Sequence, residues 1–119
     1  MKLAQIIELL DCDVVAGAKN LGLNVDAVFA ADLMSDVLAF TTPGALLLTG
    51  LANVQSVITA HVAEVKAVVY VRGKKPDADA VKLAEQKGLP LLASPLSMFT
   101  ACGRLFTSGL KSDGEQGGT

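Results

Sequence analysis

Charge is scarce in this sequence: charged residues make up 18% of its 119 residues, against about 25% in typical soluble domains. Apolar residues make up 51%, and the mean hydropathy is +0.48. This composition is the reverse of that of a disordered chain, which buries too little apolar surface to fold. We therefore expect a folded chain with a sizeable core, and its length corresponds to one domain.

An excess of basic residues is also missing. Ten Lys and Arg residues against twelve Asp and Glu residues leave a net charge of −2, so the generally basic surface that binds nucleic acid is not expected. The charge is unevenly placed, because residues 1–60 contain two basic and six acidic residues, whereas residues 61–119 contain eight basic and six acidic residues. The second half of the chain is therefore where an anionic ligand is expected.

Membrane, export and metal signals are absent as well. No apolar run reaches the roughly 18 residues of a membrane-spanning helix, and the N-terminus has a single Lys2 followed by acidic residues instead of the pattern of a signal peptide. We expect a cytoplasmic protein without a membrane partner. Cys12 and Cys102 are far apart and form no CxxC motif, which favours buried thiols in a reducing compartment over a metal or redox centre.

Short apolar runs alternate with helical patterns along the chain. An amphipathic helix is predicted over residues 2–10. Strands are predicted over residues 12–16, which should be buried, and over residues 25–31, 45–48, 67–71 and 89–93. Helices are predicted over residues 32–40, 53–65, 77–87 and from residue 94 or 97 to about 109. Asn53 and Asp77 are expected as N-terminal caps of the second and third of these helices, and Gly88 as the stop of the third. This order predicts an α/β fold with three layers, α/β/α, around a mainly parallel sheet of about five strands.

The domain should end near residue 110. Residues 111–119 contain no apolar side chain, so they are expected to form a disordered tail after a single domain over residues 1–110.

Polar residues follow the predicted strands directly. In parallel sheets, ligands bind beyond the carboxyl ends of the strands. The candidate ligand-binding residues are therefore Asp32, Ser35, Asp36, Thr49, Gly50, Asn53, Arg72, Gly73, Lys74, Ser94 and Ser97.

The segment from Arg72 to Lys75 has three basic residues in four positions. Its glycine lets the backbone approach a ligand, and a predicted helix begins directly after it, both of which are typical of an anion site. A solvated loop that keeps an apolar protein soluble would contain the same residues. The sequence leaves both interpretations open.

Two further groups have the same ambiguity. Thr49, Gly50 and Asn53 can supply a hydroxyl, a close backbone approach and a helix N-terminus, or they can form a turn and a helix cap. Asp32 and Asp36 lie four residues apart, hence on one face of the predicted helix, where paired carboxylates serve acid–base chemistry or bind a divalent ion. A capping Asp32 and an exposed Asp36 explain the same spacing.

Catalytic machinery is not recognisable. Residues 17–22 have the glycine spacing of a phosphate-binding loop, but Leu23 and Asn24 follow where the motif needs Lys and Ser or Thr. His61, the single histidine, has no nucleophile or carboxylate motif near it. We therefore predict no catalytic residue, no metal and no cofactor, and neither kinase nor NTPase activity.

Five stretches, read together, resemble the DRTGG domain family. They are ADLMSDVLA (residues 31–39), LLTGL (47–51), KAVVYVRGK (66–74), GLPLL (88–92) and SMFTACGRL (97–105). The resemblance covers about residues 1–110 and implies a stand-alone member. It also implies a fold similar to the N-terminal domain of HPr kinase/phosphorylase and a regulatory role of the kind such domains have beside CBS domains. The family's Asp-Arg pair falls at residues 51–53 of this chain and its Thr-Gly-Gly at residues 72–74, where Gly73 alone is kept.

The function expected from these observations is that of a non-enzymatic regulatory or ligand-sensing domain. It would bind an anionic metabolite or adenine nucleotide at the carboxyl ends of the strands. The alternative is a protein-interaction or dimerisation module that docks on a metabolic or electron-transfer enzyme. In either case a homodimer is expected, because 51% apolar residues exceed what one small core readily covers.

Overall fold

The computed structural model describes residues 1–112. They contain five α-helices, a short 3₁₀ helix and six strands, joined by loops. The helices are α1 (Leu3–Leu9), α2 (Met34–Phe40), α3 (Val54–Val62), α4 (Ala78–Lys87) and α5 (Met98–Thr107). The strands are β1 (Asp13–Ala16), β2 (Ala27–Ala30), β3 (Leu46–Thr49), β4 (Ala67–Tyr70), β5 (Leu91–Ala93) and β6 (Lys111–Ser112).

The six strands form one mixed, mostly parallel sheet in the order β1-β5-β4-β3-β2-β6. Strands β2 to β5 pair in parallel with their neighbours, β6 pairs in parallel with β2, and β1 alone is antiparallel, to β5. The predicted α/β class with a mainly parallel sheet is confirmed.

Two helical layers cover the sheet, and the alternation of side chains along the central strands explains why both are needed. Successive residues of a strand point to opposite faces. Leu46 and Leu48 pack in the cluster formed with α1 and α5, whereas Leu47 packs in the cluster formed with α2, α3 and α4. Strands β3 and β4 are buried on both faces, which is why they read as continuous apolar runs.

Strand β1 differs from the expected buried strand. Asp13 and Val14 are exposed, and burial is reached only at Ala16. The reason is its place at the end of the sheet, where β5 is its one partner strand. A short run of β-branched residues fits an edge strand as well as a buried one, so its composition does not decide between them.

Helix caps position the loops next to the sheet as the sequence predicted. The Asn53 side chain accepts a hydrogen bond from the Ser56 amide at 3.1 Å, and Asp77 accepts one from the Ala80 amide at 2.9 Å. Gly88 ends α4 with φ +67°. These caps are local interactions between residues three or four apart, so the sequence pattern was sufficient to locate them.

The start of the expected tail is corrected by the structure. Lys111 and Ser112 pair with Ala27 and Val28 and thereby form β6. Pairing with the edge of β2 uses backbone N–H and C=O groups, so it requires none of the apolar side chains that these residues lack. The rest of the predicted tail, residues 113–119, lies outside the described residues.

Candidate functional site

The carboxyl ends of the parallel strands β2 to β5 lie along one edge of the sheet. Thr49, the last residue of β3, is in register with Tyr70, the last residue of β4, and Tyr70 is in register with Ala93 at the end of β5. The polar residues that follow these strands are therefore neighbours. They fall into two groups, one after β2 and β3 and one after β4 and β5.

The first group is organised by Asp32. Its Oδ1 atom accepts a hydrogen bond from the Gly50 amide at 2.7 Å and one from the Thr49 hydroxyl at 3.4 Å. Thr49 Oγ1 in turn accepts a hydrogen bond from the Leu51 amide at 3.1 Å. A Cβ on Gly50 would lie 3.3 Å from the carboxylate, so the glycine permits this close approach. The Asp32 carboxylate holds the turn after β3 in place.

Of the two interpretations that the sequence leaves open for Asp32 and Asp36, the pairing on one helix face is not found in the structure. Helix α2 begins at Met34, so Asp32 precedes the helix, whereas Ser35 and Asp36 lie in its first turn. The Asp32 carboxylate is used by Gly50, which is 18 residues away in the chain. A tertiary contact of this kind leaves no trace in the spacing of the two acidic residues.

The second group is the loop after β4. Arg72 and Gly73 are both left-handed, with φ +60° and +69°. The Arg72 amide donates to the Leu96 carbonyl at 2.7 Å, and the Gly73 amide donates to the Ser94 carbonyl at 2.8 Å. These two amides are therefore used within the protein. An anion bound here would be held by side chains and not by a cradle made of those N–H groups.

The side chains of this loop are the unpaired cations of the site. Within residues 1–112, the Arg72 guanidinium and the Lys74 ammonium make neither a hydrogen bond nor an ion pair. Lys75 lies 3.8 Å from the Asp13 carboxylate. A Cβ built on Gly73 would meet no atom within 4 Å, so the space next to the backbone at Gly73 is open.

The remaining candidates have structural roles. Ser94 is fully buried; its hydroxyl donates to the Leu10 carbonyl at 2.6 Å and accepts from the Leu96 amide at 3.2 Å. Ser97 caps α5 by accepting from the Thr100 amide at 3.2 Å, as Asn53 caps α3. The two groups adjoin, because the Val71 amide donates to the Thr49 carbonyl at 3.1 Å.

A buried hydrogen bond between two hydroxyl groups lies at this edge, and the sequence pattern does not predict it. The Tyr70 and Ser56 hydroxyls lie 2.7 Å apart, and Ser56 donates its own proton to the Asn53 carbonyl at 2.6 Å. Tyr70 is therefore the donor to Ser56. Burial is the main cause that raises the pKa of Tyr70, with a smaller raising effect from the charge of Asp77. The signal was the single Tyr in an aliphatic strand, since a buried Tyr hydroxyl needs a partner.

The loop with phosphate-loop spacing lies at the other end of the sheet. Because β1 is antiparallel, its last residue, Ala16, is in register with Leu91 at the start of β5. The Gly17 amide donates to the Glu85 carboxylate at 2.9 Å, and residues 18–20 form one turn of 3₁₀ helix. The glycine spacing of residues 17–22 thus belongs to a turn that packs against α4, away from Arg72.

The amino-acid sequence matches a family model over nearly its whole length. Residues 5–108 match the model of the DRTGG domain. This chain belongs to the DRTGG domain family. Similarity to a solved structure supports the same fold, whereas no curated protein matches the chain.

That solved structure is described as the CBS and DRTGG domains of the regulatory region of Clostridium perfringens pyrophosphatase, complexed with the activator diadenosine tetraphosphate. The two chains are 19% identical, with a TM-score of 0.74. The match covers 92% of this chain and 47% of the other. The present chain therefore corresponds to about half of that regulatory region.

The motifs that name the DRTGG family fall on the two adjoining groups. By the resemblance, the Asp-Arg pair corresponds to residues 51–53 after β3, and the Thr-Gly-Gly to residues 72–74 after β4. These strands are neighbours in the sheet. In this DRTGG domain, Asp32 from a third strand end supplies the carboxylate next to β3, and Arg72 and Lys74 supply cations beside Gly73.

The thiols and the histidine of the DRTGG domain stand apart from this edge. Cys12 and Cys102 are free and half-buried, less enclosed than the sequence predicted. Burial, followed by the charges of Asp11 and Asp13, raises the pKa of Cys12 to about 12. His61 is an exposed residue of α3.

Residues 1–112 contain no cluster of three metal-binding side chains and no helix of the length and apolarity needed to cross a bilayer.

Replacing Asp32 with alanine is expected to lower the free energy of unfolding by about 1 kcal/mol. A hydrogen bond to a charged group contributes roughly 1.5–3 kcal/mol, and we take a lower value because Asp32 is exposed. Denaturant unfolding measures the change. Asp26→Ala removes the same charge from another exposed position and should have little effect. Equal stability of the two variants would contradict the role assigned to Asp32.

Proposed function

We propose that this DRTGG domain is a non-enzymatic regulatory sensor that binds an anionic metabolite, with an adenine nucleotide as the first candidate. The ligand would lie at the carboxyl ends of β2 to β5. The single observation that carries the proposal is the pair of unpaired cationic side chains, Arg72 and Lys74, at this edge. We also expect the domain to act in the cytoplasm.

The geometry of the loop favours phosphate over other ligand classes. A guanidinium binds phosphate oxygens with two parallel hydrogen bonds, and a lysine ammonium adds a second charge. The amides of Arg72 and Gly73 are bonded to carbonyl groups of the segment after β5, which keeps the loop in one conformation before a ligand arrives. A preformed loop lowers the entropy lost on binding.

The adenine nucleotide is chosen because of the structural neighbour. The Clostridium perfringens regulatory region is described as complexed with diadenosine tetraphosphate as its activator. At 19% identity the similarity concerns the fold, so it supports the choice of ligands to test and not the position of the site. The position rests on the cations of this chain.

Titration calorimetry with AMP, ADP, ATP and diadenosine tetraphosphate tests the proposal. Arg72→Ala should weaken binding about ten- to a hundred-fold, since a charge-assisted hydrogen bond contributes roughly 1.5–3 kcal/mol. Added salt should weaken binding of the unaltered protein. Lys19→Ala is the matched control, because it removes a cation from the opposite end of the sheet and should leave the affinity unchanged.

Two results would contradict the sensor function. One is the lack of any heat or thermal shift with millimolar nucleotide. The other is an Arg72→Ala variant that binds as tightly as the unaltered protein, which would show that the ligand lies elsewhere.

We also propose that the domain does not turn over nucleotide. Residues 17–22 lack the Lys and Ser or Thr of a phosphate-binding loop. Purified protein incubated with labelled ATP should therefore transfer no phosphate to HPr and release none to water. Phosphate release that persists in Arg72→Ala would instead reveal a catalytic site distinct from the proposed one.

A second candidate function, self-association or docking on a partner enzyme, is favoured by exposed apolar side chains. Residues 1–112 include nine large apolar residues whose exposed fractions lie between 36% and 88%. They are Val14, Leu33, Leu38, Phe40, Val54, Ile58, Val62, Phe99 and Phe106. Clusters of such residues mark interaction surfaces. We propose a homodimer as the first such interaction, with docking on a metabolic or electron-transfer enzyme as the alternative.

A further inference from the structure

The exposed face of α5 borders an apolar groove of about 450 Å³ on the outer part of the sheet. We call it the α5 groove and define it by the residues that matter below: Val28, Ala30, Phe99, Gly103, Phe106 and Leu110. It lies on the side of the sheet covered by α1 and α5, next to β2 and β6. It is separate from the loop that contains Arg72.

Two phenylalanines make this face unusual. Phe99 is 88% exposed and Phe106 is 74% exposed, whereas Ala101 and Leu105 on the other side of α5 are buried in the core. The exposed pair is therefore not needed to attach α5 to its own sheet. Large aromatic residues are enriched in the centres of protein interfaces.

The spacing of the two phenylalanines is self-complementary. They are seven residues apart, so they lie on the same side of the helix about two turns from one another. Their midpoint falls between Cys102 and Gly103. If a second α5 lies antiparallel across this point, the two-fold axis brings Phe99 of each copy onto Phe106 of the other.

The crossing point has small residues, which such a contact requires. A Cβ on Gly103 would meet no atom within 4 Å, so the space above it is open. Packed helices lie about 8–10 Å apart, with small side chains favouring the shorter distance. Antiparallel helices also place the N-terminal dipole of one beside the C-terminal dipole of the other. The residues of α5 that line the groove carry no charge, and the one charged lining residue among residues 1–112 is Lys111, at the edge formed by β6.

We propose that a second copy of this chain occupies the α5 groove, with its own α5 antiparallel and the two-fold axis beside Cys102 and Gly103. This inference rests on the homodimer proposed above and specifies its surface. A tail from the same chain is a poorer occupant, because residues 113–119 contain no apolar side chain. An isologous contact satisfies both grooves at once.

The area available agrees with a dimer. A phenylalanine buries about 150–250 Å² when covered, so the exposed parts of Phe99 and Phe106 in two copies amount to about 500–800 Å². A stable interface buries about 1,200–2,000 Å² in total. The four phenylalanines would thus supply roughly two-fifths of the area, and the remainder would come from exposed residues around the groove, among them Gly103, Lys111 and Ser112.

Disulfide cross-linking tests the position of the axis. Two Cys102 residues beside a two-fold axis come within the Cα separation of about 4.4–6.8 Å that a disulfide needs. The Cys12→Ser protein, which keeps Cys102, should form a covalent dimer under a mild oxidant at alkaline pH, where the thiolate fraction rises. The Cys102→Ser protein, which keeps Cys12, should form none. Equal cross-linking of both variants, or of neither, would overturn the proposed axis.

Light scattering with matched variants tests the surface. The unaltered protein should have twice the chain mass of 12.3 kDa. Phe106→Asp should raise the dimer dissociation constant about thirty-fold or more, as expected for loss of an interface hot spot. Phe40→Asp changes another exposed phenylalanine (64%) on α2, which packs on the opposite face of the sheet, and should leave the dimer intact. Both side chains are exposed, so circular dichroism should show both variants folded.

The possible outcomes distinguish the existence of a homodimer from the proposal that the α5 groove is its interface. A monomeric unaltered protein would overturn the homodimer and this inference together. A dimer disrupted by Phe40→Asp and not by Phe106→Asp would keep the homodimer and overturn the α5 surface. A monomer that binds an apolar dye only when Phe106 is present would overturn the inference and identify the groove as a small-molecule site.

Discussion

Replacing Gly17 with alanine is expected to lower the free energy of unfolding by about 3 kcal/mol. Gly17 has φ +73°, and a Cβ at this position would lie 2.6 Å from Pro90 Cα. The left-handed conformation costs a non-glycine residue roughly 1–2 kcal/mol. Overlap with backbone atoms adds roughly 1–3 kcal/mol, because the chain at Pro90 must shift.

Thermal or urea unfolding of Gly17→Ala measures this loss, and Gly22→Ala is its matched control. Gly22 belongs to the same loop, but a Cβ there would meet no atom within 4 Å, and its φ is not left-handed. The control should be as stable as the unaltered protein or slightly more stable, since alanine restricts the unfolded chain. If both variants lose the same stability, the close contact with Pro90 is not what requires glycine.

Replacing Leu48 with alanine is expected to cost about 3–4 kcal/mol, the larger of the two effects on stability. Leu48 is fully buried in β3 and packs in the cluster formed with α1 and α5. Removal of a buried leucine side chain loses its transfer free energy and leaves a cavity, with measured costs of about 2–5 kcal/mol in other proteins. Backbone pairing holds β3 between β2 and β4, so the neighbouring strands cannot easily move in to fill the space.

Leu38→Ala is the control for Leu48→Ala. Leu38 is 54% exposed on α2, so its truncation should change the free energy of unfolding by less than about 1 kcal/mol. Both variants replace leucine with alanine, so a difference between their free energies of unfolding, measured with urea, is due to the burial of the side chain. A loss at Leu38 as large as that at Leu48 would show that Leu38 is covered in solution, for example by a partner.

The proposed sensor site depends on side-chain charge more than on backbone geometry. The amides of Arg72 and Gly73 are already bonded to carbonyl groups, and the Gly50 amide is bonded to Asp32. A ligand would therefore contact exposed cationic side chains next to turns whose backbone amides are already hydrogen-bonded. Because exposed charges are strongly screened by salt, we expect affinity here to depend on ionic strength more than in a site built from backbone amides.

Interactions between residues near in sequence were predictable for this protein. The buried strands β3 and β4 are continuous apolar runs in the sequence. Asn53 and Asp77 were recognisable as the caps of α3 and α4, because each accepts a hydrogen bond from an amide three residues away. The order of strands and helices led to a mainly parallel α/β sheet, since few other arrangements bury such runs on both faces. The family resemblance followed from short segments in a fixed order.

The grouping of residues distant in sequence was decided by the tertiary structure alone. The sequence placed candidates after each strand, but it did not show that Asp32 bonds to Gly50 or that the Arg72 and Gly73 amides are used by the segment after β5. It also did not show that Lys111 and Ser112 pair with β2. Each of these contacts involves backbone or carboxylate groups, which occur all along any protein sequence and therefore do not identify their own partners. Which of them meet depends on the register and order of the strands, and neither is encoded in the residues that make the contact.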